Sequence, residues 1–455
     1  MSLEVHIRKK EQNRTLDVNF KAEKGILSIL GETGSGKTEL LSCLAGLQTP
    51  DEGSIVLNGS WLYDSLQKIC LPPAQRKTGF LPESYALFPE MTVEENIRLV
   101  LGTAENPPGR ADGKKEGRRE RKLLAAMRTT ELLKEYGLDG LGGCYPDELS
   151  RAQRLMAAMA RMMAAEPELV LLDNPFAGLD PYLRAELLQR IREKLTSEKG
   201  VTCVFATADR DEAYAMGGSI VSMENGACTG EKKRDLFFHA PETVGAALLS
   251  GCHNIAKAER LDDFHALVPA WGAVLVFPGE KRIPQAGEAV SPQEAHGWEE
   301  LSGDFAFVGI REEDFCLRIP EGRKAADFRR FPVLVQRVEE DLQSWRIWFA
   351  TGREARRLEL SGKASGSGSS SSEPNAGTEA EREAATGNLE GKDKKNGESS
   401  DKADKEGRRS SEEPAKSLLL WKVSKREISR EEIWRIRRLY IENRQIMRLT
   451  APKRG

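Results

Sequence analysis

Through the first half of the chain, short fully apolar runs alternate with longer stretches of helical spacing. Residues 26–30 (ILSIL), 169–172 (LVLL) and 201–206 (VTCVFA) lack the polar/apolar alternation of a half-exposed strand and read as strands buried on both faces. Helical stretches separate them, so the pattern predicts an α/β domain over residues 1–235, with a mostly parallel sheet covered on both sides. Inside it, residues 103–122 (TAENPPGRADGKKEGRRERK) are polar and charged and contain Pro and Gly; they read as a solvated surface insertion. The character changes over 236–360, where β-branched and aromatic runs such as Arg346-Ile347-Trp348-Phe349 predict a β-rich region. Residues 361–416 are dense in Ser, Gly, Glu and Lys and hold too little large apolar surface to offset the entropy of ordering, which predicts a disordered insert. Order returns over 417–455, with an apolar run at 418–423 and a helix opened by Ser429, whose capping-box partner is Glu432.

Composition narrows the function. A chain of 455 residues holds two or three domains. A formal net charge of -3 supplies no electrostatic footprint for nucleic acid. The start, MSLEVHIRKKEQ, lacks the apolar centre of a secretory leader. No apolar run reaches the roughly 18 residues that span a bilayer, so a membrane role requires a partner. The seven cysteines (Cys43, Cys70, Cys144, Cys203, Cys228, Cys252, Cys316) form no CxxC pair. This argues against a disulfide framework or structural zinc and fits a reducing cytoplasm.

Candidate chemistry begins where the run 26–30 enters Gly31-Glu32-Thr33-Gly34-Ser35-Gly36-Lys37-Thr38, a complete GxxxxGK[ST] loop followed by a helical stretch. Its glycines let backbone N–H groups and a helix N-terminus close on phosphates. Lys37 brings a point charge to the outer phosphates, and the Thr38 hydroxyl is a magnesium ligand. Glu32 is unexpected beside a polyphosphate and is expected to point into solvent. A second buried run ends in Asp173, a carboxylate placed to hold magnesium. Between the two motifs, Ser150 caps a helix and Gln153 sits at its capping-box position, so this N-terminus also faces outward for an anion. The stripe Met156, Met159, Met163 on that helix reads as core. One phosphate loop and no internal repeat mean one nucleotide-binding domain per chain.

These motifs, with DEGSIVLNG (51–59), ICLPPAQRKTGFLPESYALFPEMTVEENI (69–97), YPDELSRAQR (145–154) and LVLLDNPFAGLDPYLR (169–184), resemble the nucleotide-binding subunits of ABC importers, most closely the molybdate- and sulfate-type subgroup. The likeness covers the first half of the chain. The remainder, with FVGIREEDFCL (307–317), resembles a diverged TOBE-type β-barrel. The resemblance implies ATP and Mg2+ as ligands, with Gly31–Thr38, Asp173 and the helix start Ser150, Arg151 and Gln153 at the nucleotide. It implies a second cassette, related head to tail, and integral membrane permease subunits gripped around residues 83–88. The chain would then sit in the cytoplasm, peripheral on the inner face of the membrane.

Four positions depart from that family pattern. Asn174 stands where the family places a water-polarising glutamate, and an amide accepts no proton near neutral pH. Ala208 stands at the switch-histidine position; Glu83 takes the place of a magnesium-contacting glutamine; Arg151 and Ala152 replace the two signature glycines. No aromatic occupies residues 9–15, where many relatives stack the base. These departures predict an ATP binder with slow hydrolysis. Two readings stay open: an energising subunit of an oxyanion importer, or a non-hydrolysing, ATP-gated regulatory or partner subunit. Homodimer and heterodimer remain equally open.

Overall fold

The computed structural model describes residues 2–10, 14–105, 115–197, 201–261, 265–277, 306–351 and 418–450. The predicted insert at 361–416 lies outside these residues, as do 106–114 of the predicted insertion at 103–122.

The opening hairpin sets the first wing of the sheet. β1 (Ser2–Lys10) and β2 (Thr15–Glu23) alternate strictly, with Leu3, Val5 and Ile7 facing inward opposite Ala22, Phe20 and Val18. β3 (Gly25–Leu30), β8 (Leu169–Asp173) and β9 (Thr202–Thr207) are instead buried almost throughout. The other strands are β4 (Glu52–Leu57), β5 (Ser60–Asp64), β6 (Ile69–Cys70), β7 (Thr78–Leu81), β10 (Ser219–Glu224), β11 (Ala227–Cys228) and β12 (Lys232–Lys233). They form one sheet in the order β6-β5-β4-β1-β2-β11-β10-β3-β9-β8-β7, with β12 paired to β10. The sheet is mixed. Its parallel core, β10-β3-β9-β8-β7, is the part that the apolar runs predict, and an antiparallel wing built on the β1–β2 hairpin extends it.

Side chains on the central strands divide between two cores. Leu169, Leu171, Val204 and Ala206 join the cluster beneath α1 (Lys37–Ala45) and the wing. Val170, Leu172, Cys203 and Phe205 point the other way, because successive strand residues face opposite sides. That second face carries α2 (Val93–Glu105), α3 (Lys115–Glu135), α4 (Arg151–Met163) and α5 (Pro181–Ser197). Met156, Met159 and Met163 lie in this core, as their spacing on α4 predicts. Residues 115–122 form the first turns of α3.

After α6 (Arg210–Met216) come α7 (Arg234–His239) and α8 (Val244–Leu249), which pack Phe237 and Ala246 with Leu30, Ala213 and Ile220. The strand β13 (Asn254–Lys257) pairs with β17 (Phe307–Ile310), which in turn pairs with β23 (Met447–Leu449). A two-residue strand, β14 (Glu259–Arg260), follows β13. All of these belong to one compact unit comprising Met1–Arg260, Gly279–Glu312 and Arg444–Gly455.

The second unit, Leu261–Pro278 and Glu313–Asn443, is β-rich. It contains the hairpin β15 (His265–Val268) with β16 (Ala273–Val276), the pair β18 (Phe328–Pro332) with β22 (Arg438–Glu442), and the sheet β19 (Leu334–Glu340), β20 (Ser344–Ala350), β21 (Leu419–Ser424). Phe315 stacks edge-on against both Phe331 and Phe349, and Trp345 Nε1 donates to Ile428 O at 3.2 Å. The short α9 (Arg430–Ile433) opens with the predicted capping box of Ser429 and Glu432.

Candidate nucleotide-binding site

At the end of β3 the chain leaves the sheet in a loop that requires glycine at positions 31 and 36. The Gly31 N–H donates to Thr207 O at 3.3 Å. A Cβ on Gly31 would stand 2.4 Å from Met223 O and 2.7 Å from Ser35 Oγ. Gly36, the N-cap of α1, has φ 111°, a backbone region that L side chains avoid. Ser35 N–H donates to Glu32 O at 3.1 Å and closes the turn, while the Glu32 side chain is exposed, as expected. The result is a concave run of backbone ending at a helix N-terminus, with positive partial charge concentrated there.

Lys37 is 8 % exposed and curls over this loop, donating from Nζ to Gly31 O at 2.7 Å and Glu32 O at 2.8 Å. Burial pulls its pKa below the ordinary lysine value, with Asp173, Glu39 and Glu32 opposing the shift. The other end of α1 is pinned by Arg76, almost fully buried, which donates to Cys43 O at 2.8 Å and Leu44 O at 2.9 Å. Both ends of the phosphate-facing helix are therefore fixed.

Asp173 ends β8 next to this loop and is 6 % exposed. Burial raises its pKa; a hydrogen bond from Thr38 and the charge of Lys37 oppose that, and Glu83 adds to it. Thr38, Asp173 and Glu83 thus bring oxygen ligands together, the donor set that a hard divalent cation takes. Asn174 follows in the left-handed region, φ 46°, with its N–H donating to Ala206 O at 2.9 Å. Its Nδ2 donates to Glu83 Oε2 at 3.4 Å. Ala208 is exposed just beyond β9, one residue past the carbonyl that receives the Gly31 N–H.

Glu83 opens a segment whose backbone is strained. Tyr85 (φ 64°) and Ala86 (φ 47°) both occupy the left-handed region, costly for an aromatic residue. Side chains from two helices hold it. Arg161 on α4 donates to Ala86 O at 2.7 Å and Tyr85 O at 3.2 Å, and Asn96 on α2, fully buried, accepts from Phe88 N–H at 2.9 Å. Tyr85 Oη donates to Pro175 O at 2.9 Å, which joins the segment to the chain just after Asp173 and Asn174.

The N-terminus of α4 carries the expected capping box: Ser150 N–H donates to Gln153 Oε1 at 2.8 Å, and Gln153 N–H to Ser150 Oγ at 3.3 Å. Arg151 packs its guanidinium 5.6 Å from the Tyr85 ring centroid, and a Cβ on Gly178 would meet it at 3.2 Å. Among the described residues no hydrogen bond joins Ser150, Arg151 or Gln153 to the phosphate loop. The glycine loop, Lys37, Thr38, Asp173, Asn174 and Glu83 are gathered in one place, and Arg151 reaches toward them through the Tyr85 ring. Sequence reasoning missed the braces Arg161, Asn96 and Arg76, and also Arg14, which donates to Gly34 O and pairs with Glu39. These contacts join residues distant in the chain and carry no local motif.

A strand, a glycine loop, a helix bearing a buried lysine, and a buried aspartate on a nearby parallel strand define a P-loop nucleotide-binding domain. The ABC transporter family model matches residues 15–177. The sulfate/thiosulfate import ATP-binding protein CysA of Caulobacter vibrioides is 36 % identical over 340 residues, covering 75 % of this chain and 85 % of that protein. A probable sulfate/thiosulfate import ATP-binding protein of Chlorella vulgaris is 40 % identical over 210 residues, covering 46 % of this chain and 80 % of its own. An Fe(3+) ions import ATP-binding protein of Rhizobium meliloti is 37 % identical over 235 residues, covering 51 % and 54 %. A solved dimeric ATP-binding cassette with ADP and Pi aligns at TM-score 0.42 and 27 % identity, covering 51 % of this chain and 99 % of that one. The chain belongs to the ATP-binding proteins of ABC transporters, a family of ATPases.

Proposed function

We propose that this chain energises the import of a sulfate-type oxyanion, and that it binds ATP firmly but hydrolyses it slowly. The import role and the substrate class rest on the likeness to sulfate/thiosulfate import ATP-binding proteins. The slow turnover rests on one observation: the side chain next to Asp173 is an amide, Asn174, directed at Glu83.

The residues present suit MgATP. The cradle closes where a Cβ would collide, Lys37 overhangs it, and Thr38 and Asp173 offer oxygen ligands for Mg2+, with Glu83 beside them. Magnesium there would neutralise charge on the phosphates. Asn174 orients a water molecule but takes no proton from it, which forgoes a rate factor of ~10²–10⁴, or roughly 3–5 kcal/mol of barrier. Ala208 offers no imidazole to the terminal phosphate. The capped helix start at Ser150 fits a site completed by a second cassette. The strained segment 83–88 fits a permease contact, which would hold the chain on the inner face of the membrane. The β-rich second unit is in keeping with a TOBE-like appendage.

A second reading is favoured by Asn174 and Ala208 together: a subunit that clamps on ATP without turnover, or that borrows catalytic residues from an intact partner cassette. Steady-state hydrolysis and ATP binding by the purified chain decide between them, with Lys37→Ala as the blank and Asn174→Glu as the rescue. The energising reading expects turnover above the blank in the wild type and at least about tenfold more in Asn174→Glu. Tight binding with wild-type turnover at the blank selects the clamp. Loss of binding itself overturns both.

A further inference from the structure

Arg76 carries a guanidinium that the phosphate-facing helix does not fully use. It is 1 % exposed; Nε donates to Leu71 O at 2.8 Å, and Nη1 donates to Cys43 O and Leu44 O. All of these acceptors are backbone carbonyls, so none brings a full negative charge. Nη2 is buried and, among the described residues, has no hydrogen-bond partner. Beyond the carbonyls, the side chain that faces this guanidinium is the Cys70 thiol: burial pulls the Arg76 pKa down, and the sulfurs of Cys70 and Cys43 push it back. Cys70 is exposed and ends β6, the edge strand of the sheet, opposite the buried Tyr63 of β5. Cross-strand partners share a face, so the thiol lies on the side of the sheet where Tyr63 packs with α1. A small solute reaches it from outside, and a buried donor backs it from inside.

We propose that Cys70 is a site of reversible oxidation by peroxide, at which Arg76 captures the oxygen placed on the sulfur. The Cys70 sulfur attacks one peroxide oxygen, the O–O bond breaks, and the thiol proton leaves with the other oxygen as water. Sulfur gives up two electrons, peroxide takes them, and the product is a sulfenic acid. The thiolate is the nucleophile in this chemistry, and a guanidinium beside the sulfur favours the attack. The new oxygen is the acceptor that Nη2 lacks, and a buried donor without an acceptor is costly to the fold. Arg76 also fixes the C-terminal end of α1 and fills the space beside Gly46, where a Cβ would meet its Nε at 2.5 Å. A mark on Cys70 is therefore felt by the helix that begins at Lys37.

The deciding experiment treats the full chain with hydrogen peroxide, traps sulfenic acid with dimedone for peptide mass spectrometry, and records melting before and after. Wild type is expected to label at Cys70 at least about tenfold faster than at the half-buried Cys144 and Cys316. Its melting temperature is expected to rise by about 2–4 °C on oxidation and to return with dithiothreitol. Cys70→Ser is expected to show neither the label nor the rise, which separates the effect from methionine oxidation. Arg76→Lys keeps the charge but loses the Nη2 donor, so it is expected to keep the label and lose the rise. Labelling of Cys70 with unchanged melting would mean an ordinary surface thiol and would overturn the proposal. Equal labelling of the three cysteines would do the same, as would a Cys43–Cys70 disulfide, seen as the loss of two hydrogens. If Arg76→Lys has no cooperative melt, wild type against Cys70→Ser decides alone. No step here uses nucleotide, so a failure of ATP binding and a failure of this inference are read separately.

Discussion

Glu212 shows how a single buried carboxylate sets the response to pH outside the nucleotide site. It is 4 % exposed, accepts from Thr207 Oγ1 at 2.6 Å and lies 3.6 Å from Arg184, which also pairs with Asp209 at 3.0 Å. Burial raises its pKa above the ordinary 4.5, Asp209 adds to the rise, and Thr207 and Arg184 oppose it. The fold therefore prefers the protonated form. Below pH 4.5 both folded and unfolded chains carry the proton, and the group costs nothing. As pH climbs from there to the raised value, the unfolded chain ionises first and stability falls. Glu212→Gln, neutral throughout, keeps an acceptor for Thr207 and removes this slope. Its melting temperature, relative to wild type, is expected to rise by about 2–4 °C between acid and neutral pH; a pH-independent difference would mean that Arg184 already offsets the burial. The contrast with Asp173 marks what is legible at this scale. Lys37, Thr38 and Asp173 announce themselves because their motif is contiguous or ends a distinctive strand. Glu212, Arg14 and Arg76 do not, since their roles come from neighbours that the topology supplies.

Elements were legible where a local pattern sufficed. The runs that became β3, β8 and β9 stand out because strands buried on both faces have no polar positions, and the Ser150–Gln153 capping box marked the start of α4. The antiparallel wing was not read, although β1 and β2 alternate cleanly. Nor does anything local foretell that β23 pairs with β17, because that pairing spans most of the second unit. Arg151, which the resemblance places at a signature-glycine position, lies over Tyr85, at 5.6 Å from the ring centroid, while touching the space beside Gly178. It thereby links the start of α4 to the strained segment 83–88. Such a cation–π contact contributes about 0.5–1 kcal/mol when partly exposed. Arg151→Ala is expected to speed amide exchange across residues 83–88 by about two- to fivefold, with little change in global melting. Unaltered exchange would show that Arg161 and Asn96 hold the segment unaided.

At the scale of the whole molecule, the long insert poses a closure problem that its flanking strands already solve. β20 and β21 are antiparallel neighbours, with Phe349 opposite Leu419, so the end of one strand and the start of the other are adjacent. Whatever lies between is the connection of a hairpin. Lengthening such a connection costs little, about 0.6 kcal/mol per doubling, so a long polar insertion here is tolerated without a contribution from its own contacts. Every residue assigned to nucleotide binding belongs to the first unit. Deleting residues 361–416 retains a short polar connection between Thr351 and Leu418 and shortens the loop by two to three doublings. It is expected to stabilise the second unit by about 1–2 kcal/mol and to leave MgATP affinity within about twofold of wild type. Calorimetry of the full and shortened chains, followed by an ATP titration of each, measures both. A fall in ATP affinity of tenfold or more would give the insert a part in the site, and the hairpin would then be a mount rather than a tolerated gap.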